Sequence, residues 1–221
     1  GDPACFSEKL LPLPKESMPF VRSAAAIEVE PKLRETPDTV RIAVASTPMK
    51  LNPGFLGALA RIQRESRKPI QFHFLTGLTR GLMNLEMRRF IHAYLPDAVI
   101  QMHQPYAEYM ATLNECDMYV NPFPFGNTNG IVDVTSIGLV GVCKTGPEVL
   151  EHIDEAMFRR LGLPEWLVAH NEDEYVSAAL RLIDEDGTRL SLRRQMLKDK
   201  AADAFFQGKP SGFGQALAGL V

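Results

Sequence analysis

The chain has 221 residues, of which 45% are hydrophobic, so it can bury a substantial core as one large domain or one and a half. Its net charge is -3 and its acidic and basic residues are interspersed, which argues against a nucleic-acid-binding protein. Its apolar runs are shorter than a membrane span and no basic-then-apolar leader opens it, so we expect neither a membrane span nor a signal peptide.

The three cysteines, Cys5, Cys116 and Cys143, are odd in number and widely spaced. Cys116 and Cys143 lie in or beside strand-like runs, where a buried thiol is the ordinary interpretation. No spacing of cysteine and histidine typical of a metal site is found in the sequence. These features predict a cytoplasmic protein without disulfides and without a bound metal.

The chain divides near residue 40. Residues 1–39 contain six prolines and no sustained period, which predicts an extended lead-in segment without a core of its own. Residues 40–221 alternate strand-like apolar runs with helical periods, which predicts an α/β fold with a doubly wound parallel sheet. The predicted strands are residues 40–45, 70–75, 98–102, 118–121, 139–143 and 166–169. The predicted helices are residues 52–67, 82–95, 106–114, 129–137, 148–160, 172–183, 188–204 and 214–220.

The segment 121–130, NPFPFGNTNG, is the most informative part of the sequence. It joins a buried strand to a helix, and such a glycine- and asparagine-containing turn leaves backbone N–H groups free at the positive end of the helix dipole. Asn127, Thr128, Asn129 and Gly130 therefore predict a phosphate or diphosphate site, and Asp133 could accept hydrogen bonds from sugar hydroxyls. The alternative is that Asn-Thr-Asn-Gly simply caps the helix.

Other polar residues fall at the same predicted edge of the sheet. In doubly wound sheets, ligands bind beyond the carboxyl ends of the strands. Lys50 follows the first strand and suits a diphosphate, whereas the alternative is a solvated surface lysine. His103 follows the third strand and could contact a nucleotide, or be a structural histidine. Asp154 most simply belongs to a solvated helix face, although His152 and Asp154, beside Gly146, could approach this edge.

Several common catalytic patterns are absent from the sequence. No Gly-x-Gly-x-x-Gly follows the first strand and no P-loop motif is present, which argues against a dinucleotide dehydrogenase and a P-loop enzyme. Ser136 lacks a nucleophile-elbow context, and no carboxylate pair stands at the strand ends.

Five longer segments carry a family resemblance. They are residues 49–53 (MKLNP), 121–131 (NPFPFGNTNGI), 138–146 (GLVGVCKTG), 151–154 (EHID) and 160–167 (RLGLPEWL). With them the sequence closely resembles, from about residue 1 to 221, the bacterial cytoplasmic protein N-glycosyltransferases that modify high-molecular-weight adhesins. That group belongs to glycosyltransferase family 41, which also includes the O-linked N-acetylglucosamine transferases.

The resemblance implies the Rossmann-like, donor-binding half of a GT-B glycosyltransferase, with an amino-terminal half that this chain lacks. Position by position, it implies that Thr47, Lys50 and Asn129 contact a diphosphate. It further implies that His103 contacts the nucleotide and Asp133 the ribose. These residues, apart from Thr47, are the ones that the residue patterns place at one edge.

The implied reaction transfers a hexose, most simply glucose, from a UDP-sugar to asparagine in Asn-x-Ser/Thr of an adhesin-like protein. The resemblance implies inversion at the anomeric carbon, no metal ion and no other cofactor, with Lys50 as the catalytic cation. The sequence offers no general base. Family members often carry glutamine where Leu78 stands, which affects the expected donor sugar or acceptor handling. The alternatives are an O-linked transferase acting on serine or threonine, and a UDP-sugar-binding module inactive without the missing half.

Overall fold

The computed structural model describes residues 7, 11, 19–22, 29–77 and 79–219, and these residues contain one sheet of six parallel strands. The strands are β1 (Val40–Val44), β2 (Ile70–Leu75), β3 (Val99–Gln101), β4 (Met118–Val120), β5 (Gly141–Lys144) and β6 (Val168–Ala169). Their order across the sheet is β3-β2-β1-β4-β5-β6. The chain therefore runs from β1 at the centre outward to β3 on one side of the sheet. It then returns to the centre at β4 and runs outward to β6 on the other side, which confirms the predicted doubly wound sheet.

Helices cover both faces of this sheet. They are α1 (Pro53–Glu65), α2 (Gly81–Tyr94), α3 (Tyr106–Asn114), α4 (Thr128–Ser136), α5 (His152–Arg160), α6 (Glu172–Asp184), α7 (Asp186–Lys198), α8 (Asp203–Phe206) and α9 (Ser211–Ala218). Short 3-10 turns occupy Pro48–Lys50, Val149–Glu151 and Glu165–Leu167. None of the helices among the described residues is long and apolar enough to cross a membrane.

The core forms where the central strands meet. Ile42 of β1 stands in register with Phe72 of β2 on one side and Met118 of β4 on the other. All three side chains are fully or almost fully buried. Strands covered by helices on both faces have no solvent-facing side, which is why their sequences read as continuous apolar runs.

One predicted helix is wrong in its extent. The sequence predicts a continuous helix over residues 188–204, whereas α7 runs from Asp186 to Lys198 and the separate α8 begins at Asp203. Lys200 adopts a positive φ of 49°, and the N–H of Ala201 donates to the carbonyl of Met196. This left-handed ending stops α7. The turn brings Phe205 into the core, where its side chain is fully buried and packs against Phe20.

Residues 29–39 of the lead-in segment pack beside the start of β4. Asn114 Nδ2 donates to the carbonyl of Glu30, and the Lys32 N–H donates to Asn114 Oδ1. Arg34 forms an ion pair with buried Asp117, with 2.9 Å between Nη1 and Oδ2. The segment therefore contacts the amino edge of the sheet, opposite the edge where α4 begins. Expectations for residues 1–6, 8–10, 12–18, 23–28, 78 and 220–221, which include the end of the predicted helix 214–220, lie outside the described residues.

Candidate functional site

A cavity of about 330 Å³ opens at the carboxyl edge of the sheet. It lies where β1, β2 and β3 end and α4 begins, as expected for a ligand site in a doubly wound fold. Six of the eight predicted site residues line it: Thr47, His103, Asn127, Asn129, Gly130 and Asp133. The remaining lining residues are Ala45, Ser46, Leu75, Gly77, Met102, Gln104, Tyr106 and Tyr109. Lys50 and Thr128 adjoin the cavity without lining it.

The first turn of α4 presents free backbone donors at this cavity. Within the part of the chain that the structure describes, the N–H groups of Thr128, Asn129 and Gly130 have no hydrogen-bond acceptor; the first intrahelical bond runs from Ile131 N–H to the Asn127 carbonyl, at 2.9 Å. Unpaired N–H groups at a helix start, aligned with the helix dipole, favour an anion.

Asn127 fixes this helix start to β1 rather than offering its own donors. Its side-chain Nδ2 donates to the carbonyl of Ala45, and its backbone N–H donates to the carboxylate of Asp154. Gly130 has to be glycine, because a Cβ there would lie 2.1 Å from Asn127 Nδ2. Asn127 therefore lines the cavity, while its backbone N–H and its side-chain Nδ2 hold the loop against Asp154 and Ala45.

Lys50 comes to the same edge from the turn after β1. Its ammonium group donates to the carbonyl of Gly126, with 2.6 Å from Nζ to O, and lies 4.9 Å from the centroid of the Phe125 ring. Partial burial lowers the pKa of Lys50, and the nearby charge of Asp154 raises it in part. The Lys50 ammonium and the start of α4 thus lie at the same edge of the sheet. Lys50 contacts the carbonyl of Gly126, two residues before α4 begins at Thr128.

Asp154 lies beneath this turn. It is 2% exposed and accepts the Asn127 N–H with both oxygens, at 2.9 and 3.1 Å. Burial raises its pKa to about 6, a rise that the Asn127 hydrogen bond and the charge of Lys50 oppose. The interpretation of Asp154 as a solvated carboxylate is therefore wrong, and the alternative that it approaches this edge is confirmed by its contact with Asn127. Its neighbour His152 does not line the cavity and instead lies 3.1 Å from Glu155, between Nδ1 and Oε2.

This raised pKa predicts a pH-dependent stability. Between its ordinary value of 3.8 and about 6, the folded state binds the Asp154 proton more tightly than the unfolded state does. The free energy of unfolding should therefore fall as pH rises through this window, by up to about 3 kcal/mol. Asp154→Asn, which mimics the protonated carboxyl, should be more stable than the parent at pH 7.5. Chemical denaturation of both proteins from pH 4.5 to 8 checks this, and a stability difference that does not shrink toward low pH would contradict it.

Asp133 points its carboxylate toward two tyrosines of α3. The Tyr106 hydroxyl donates to Asp133 Oδ1 at 2.7 Å, and Tyr109 lies beside them in the cavity wall. Burial raises the pKa of Asp133, and its hydrogen bonds with the tyrosines oppose the rise. Nothing in the sequence pattern singles out these tyrosines, because aromatic residues on a helix are usually core residues. Asp133 therefore faces the cavity with its carboxylate held at Oδ1 by Tyr106.

No group of three or more histidine, cysteine, aspartate or glutamate side chains in the described ranges is arranged to hold a metal ion. The cavity is lined by Asp133, His103 and the start of α4, and the Lys50 ammonium lies at the same edge of the sheet, bound to the carbonyl of Gly126. Together they suit a ligand that carries both a phosphate-like group and a hydroxylated ring.

Two curated relatives match almost the whole chain. Both are UDP-glucose:protein N-beta-glucosyltransferases, from Actinobacillus pleuropneumoniae serotype 7 (strain AP76) and serotype 5b (strain L20), and each is 52% identical over 217 residues. The match covers 97% of this chain and 35% of either relative, so the chain spans about a third of their length. The resemblance predicted from the sequence segments is confirmed. No family model matches the chain.

Solved structures share the fold. A variant of the O-GlcNAc transferase of Thermobaculum terrenum superposes with a TM-score of 0.68 at 19% identity, over 86% of this chain and 37% of that one. TarM superposes with a TM-score of 0.55 at 11% identity, over 88% and 37%. At such identities the likeness shows the fold alone. It confirms the predicted Rossmann-like half of a GT-B glycosyltransferase.

Proposed function

The chain is a relative, over 97% of its length, of the UDP-glucose:protein N-beta-glucosyltransferases, and we propose that it is the UDP-sugar-binding part of such an enzyme. The proposed enzyme transfers glucose, with inversion and without a metal ion, to asparagine in Asn-x-Ser/Thr of an adhesin-like protein in the cytoplasm. The observation that carries the proposal is the meeting of a cation, Lys50, with the free N–H groups of α4 beside one cavity.

The chemistry of the departing nucleotide explains this arrangement. When the bond to the anomeric carbon breaks, negative charge grows on the diphosphate of UDP. Preorganised donors and a cation lower the energy of that state more than they lower the energy of the bound substrate. Lys50 would supply the cation, and Thr128, Asn129 and Gly130 the N–H donors. Lys50 is held by a carbonyl oxygen, which a phosphate oxygen can replace as acceptor without moving the backbone.

The remaining lining residues fit the rest of a nucleotide. Asp133 would accept hydrogen bonds from the ribose hydroxyls, and His103, exposed after β3, would contact the base or ribose. Thr47, exposed after β1, would add a second contact to the diphosphate. The acceptor base would come from the amino-terminal part of the enzyme, which corresponds to the length of the relatives that this chain does not span.

Asp133→Asn should weaken UDP binding by about 10-fold to 100-fold, because a hydrogen bond to a charged group contributes about 1.5–3 kcal/mol. Asparagine keeps the size of the side chain but lacks the charge and has only one acceptor oxygen. Isothermal titration calorimetry with UDP measures the change. Asp97→Asn is the matched control: Asp97 is exposed in the turn before β3, at the opposite edge, and its substitution should leave UDP affinity unaltered. Equal losses in both variants would contradict the role of Asp133.

Two measurements test the function as a whole. Calorimetry with UDP tests whether this chain binds the nucleotide, and a transfer assay with UDP-glucose and an Asn-x-Thr peptide tests the intact enzyme. Glucose found on asparagine by mass spectrometry supports the proposal. Sugar found only on serine or threonine would replace it with an O-linked transferase. UDP binding by the chain without transfer by the intact enzyme would leave a nucleotide-sugar-binding module, and the absence of UDP binding would overturn the proposed site.

A further inference from the structure

The peptide group between Gly126 and Asn127 is held from both ends by opposite charges. Its carbonyl oxygen accepts from the Lys50 ammonium at 2.6 Å, and its N–H donates to the Asp154 carboxylate at 2.9 Å. This peptide immediately precedes α4, whose free N–H groups line the cavity. Gly126 lets the carboxylate approach so closely, since a Cβ there would lie 2.2 Å from Asp154 Oδ1.

The surroundings of Asp154 leave its charge little other compensation. The cation that faces it is Lys50, from the turn after β1. The other titratable groups near it are uncharged at neutral pH, and their pKa values are raised by burial. They are Tyr119 on β4, Cys143 on β5 and Tyr175 on α6. The amide of Asn121, fully buried at the end of β4, also stands near the carboxylate. A buried carboxylate in such a setting acts on Lys50 across the Gly126–Asn127 peptide.

We propose that Asp154 is a positioning residue for the diphosphate site, holding Lys50 charged and the start of α4 in place through the Gly126–Asn127 peptide. This inference rests on the proposed function, in which Lys50 and α4 bind the diphosphate. Lys50 would leave the Gly126 carbonyl for a phosphate oxygen when the nucleotide binds. Asp154 would keep its bond to Asn127 throughout, so that the N–H donors do not have to reorganise.

Asp154→Asn separates the charge from the hydrogen bond. The asparagine oxygen can still accept the Asn127 N–H, whereas the negative charge beside Lys50 is lost. UDP affinity, measured by calorimetry at pH 8, should fall about 10-fold, because the negative charge that favours the ammonium form of Lys50 and holds it at this edge is lost. In the intact enzyme kcat should fall, while KM for the acceptor peptide should not change.

A double-mutant cycle shows whether Asp154 acts through Lys50. If it does, Asp154→Asn should change UDP affinity less than about twofold in a Lys50→Met background. Full additivity of the two losses would overturn the proposal, since it would mean that Asp154 affects binding by another route.

Asp117→Asn is a closely matched control. Asp117 is also a fully buried aspartate that accepts a backbone N–H, from Arg41 at 2.8 Å, but it stands at the amino edge of the sheet. Its substitution should leave the UDP affinity of the folded protein unchanged. A loss of affinity equal to that of Asp154→Asn would show a general effect of losing a buried carboxylate, and would overturn the positioning role.

The ionisation of Lys50 can be measured without nucleotide, so this test of the inference does not depend on UDP binding. The Lys50 side-chain ¹³Cε resonance, assigned by its disappearance in Lys50→Met, reports the ionisation of the ammonium group. In Asp154→Asn the ammonium should lose its proton at a lower pH than in the parent chain, because the charge of Asp154 raises the pKa of Lys50. An unchanged midpoint would overturn the inference.

Should Asp154→Asn fail to fold, the parent resonance should still move as Asp154 ionises near pH 6, and a flat response from pH 5 to 7 would overturn the inference equally. A parent chain that shows these titrations but does not bind UDP would sink the proposed function alone.

Discussion

Replacing Lys50 with alanine is expected to lower the rate of sugar transfer by about 10² or more in the intact enzyme. The ammonium group contacts the carbonyl of Gly126, two residues before α4 begins. It is half-buried, so water cannot fully take its place. Its charge is needed most when the diphosphate leaves, because only then does the extra negative charge appear. The loss should therefore fall mainly on kcat, and UDP-glucose binding should weaken less.

Two comparison variants sharpen this prediction. Lys198→Ala removes an exposed lysine at the end of α7, near the amino edge of the sheet, and should leave turnover unchanged. Lys50→Arg keeps the charge but replaces a compact ammonium with a planar group, so it should recover only part of the activity. Steady-state kinetics with UDP-glucose and an acceptor peptide measures all three. Near-normal turnover of Lys50→Ala would refute the role of the lysine.

Most of the fold could be predicted because it follows from local patterns. Strands buried on both faces require continuous apolar runs, and the predicted strands 70–75 and 118–121 match β2 and β4 to within one residue. The end of α7 could not be predicted in this way. Residues 201–204 are good helix formers, and the break at Lys200 depends on the burial of Phe205, which is a tertiary effect.

The candidate site was predictable to the extent that topology decides it. Parallel strands place all their carboxyl ends at one edge, so the positions of Lys50, His103 and Asp133 follow from the order of the elements. The hydrogen-bond partners of the site side chains could not be predicted from the order of the elements. The bond from Tyr106 to Asp133 depends on how α3 lies against α4, and the contact of Asp154 with Asn127 depends on where α5 passes beneath the loop. The assignment of these residues to UDP stays a prediction.

Gly130→Ala is expected to disrupt the site by steric means without altering any charge. A Cβ at this position would lie 2.1 Å from Nδ2 and 2.7 Å from Cγ of Asn127. That side chain cannot move aside freely, because its Nδ2 donates to the carbonyl of Ala45 and Asn127 is 8% exposed. Forcing a methyl group into a packed region costs about 1–3 kcal/mol, so the melting temperature should fall by several degrees.

The same substitution should reduce UDP affinity by about 10-fold or more, since displacing Asn127 moves the first turn of α4 and its N–H donors. Gly57→Ala provides the contrast. Gly57 lies inside α1 with nothing within 4 Å of an added Cβ. Alanine there should stabilise the helix by about 0.5–1 kcal/mol and leave UDP binding intact. Calorimetry with UDP and thermal melts on both variants decide the matter. A Gly130→Ala protein that bound UDP as tightly as Gly57→Ala would show that the α4 start is not the diphosphate site, whatever the family resemblance implies.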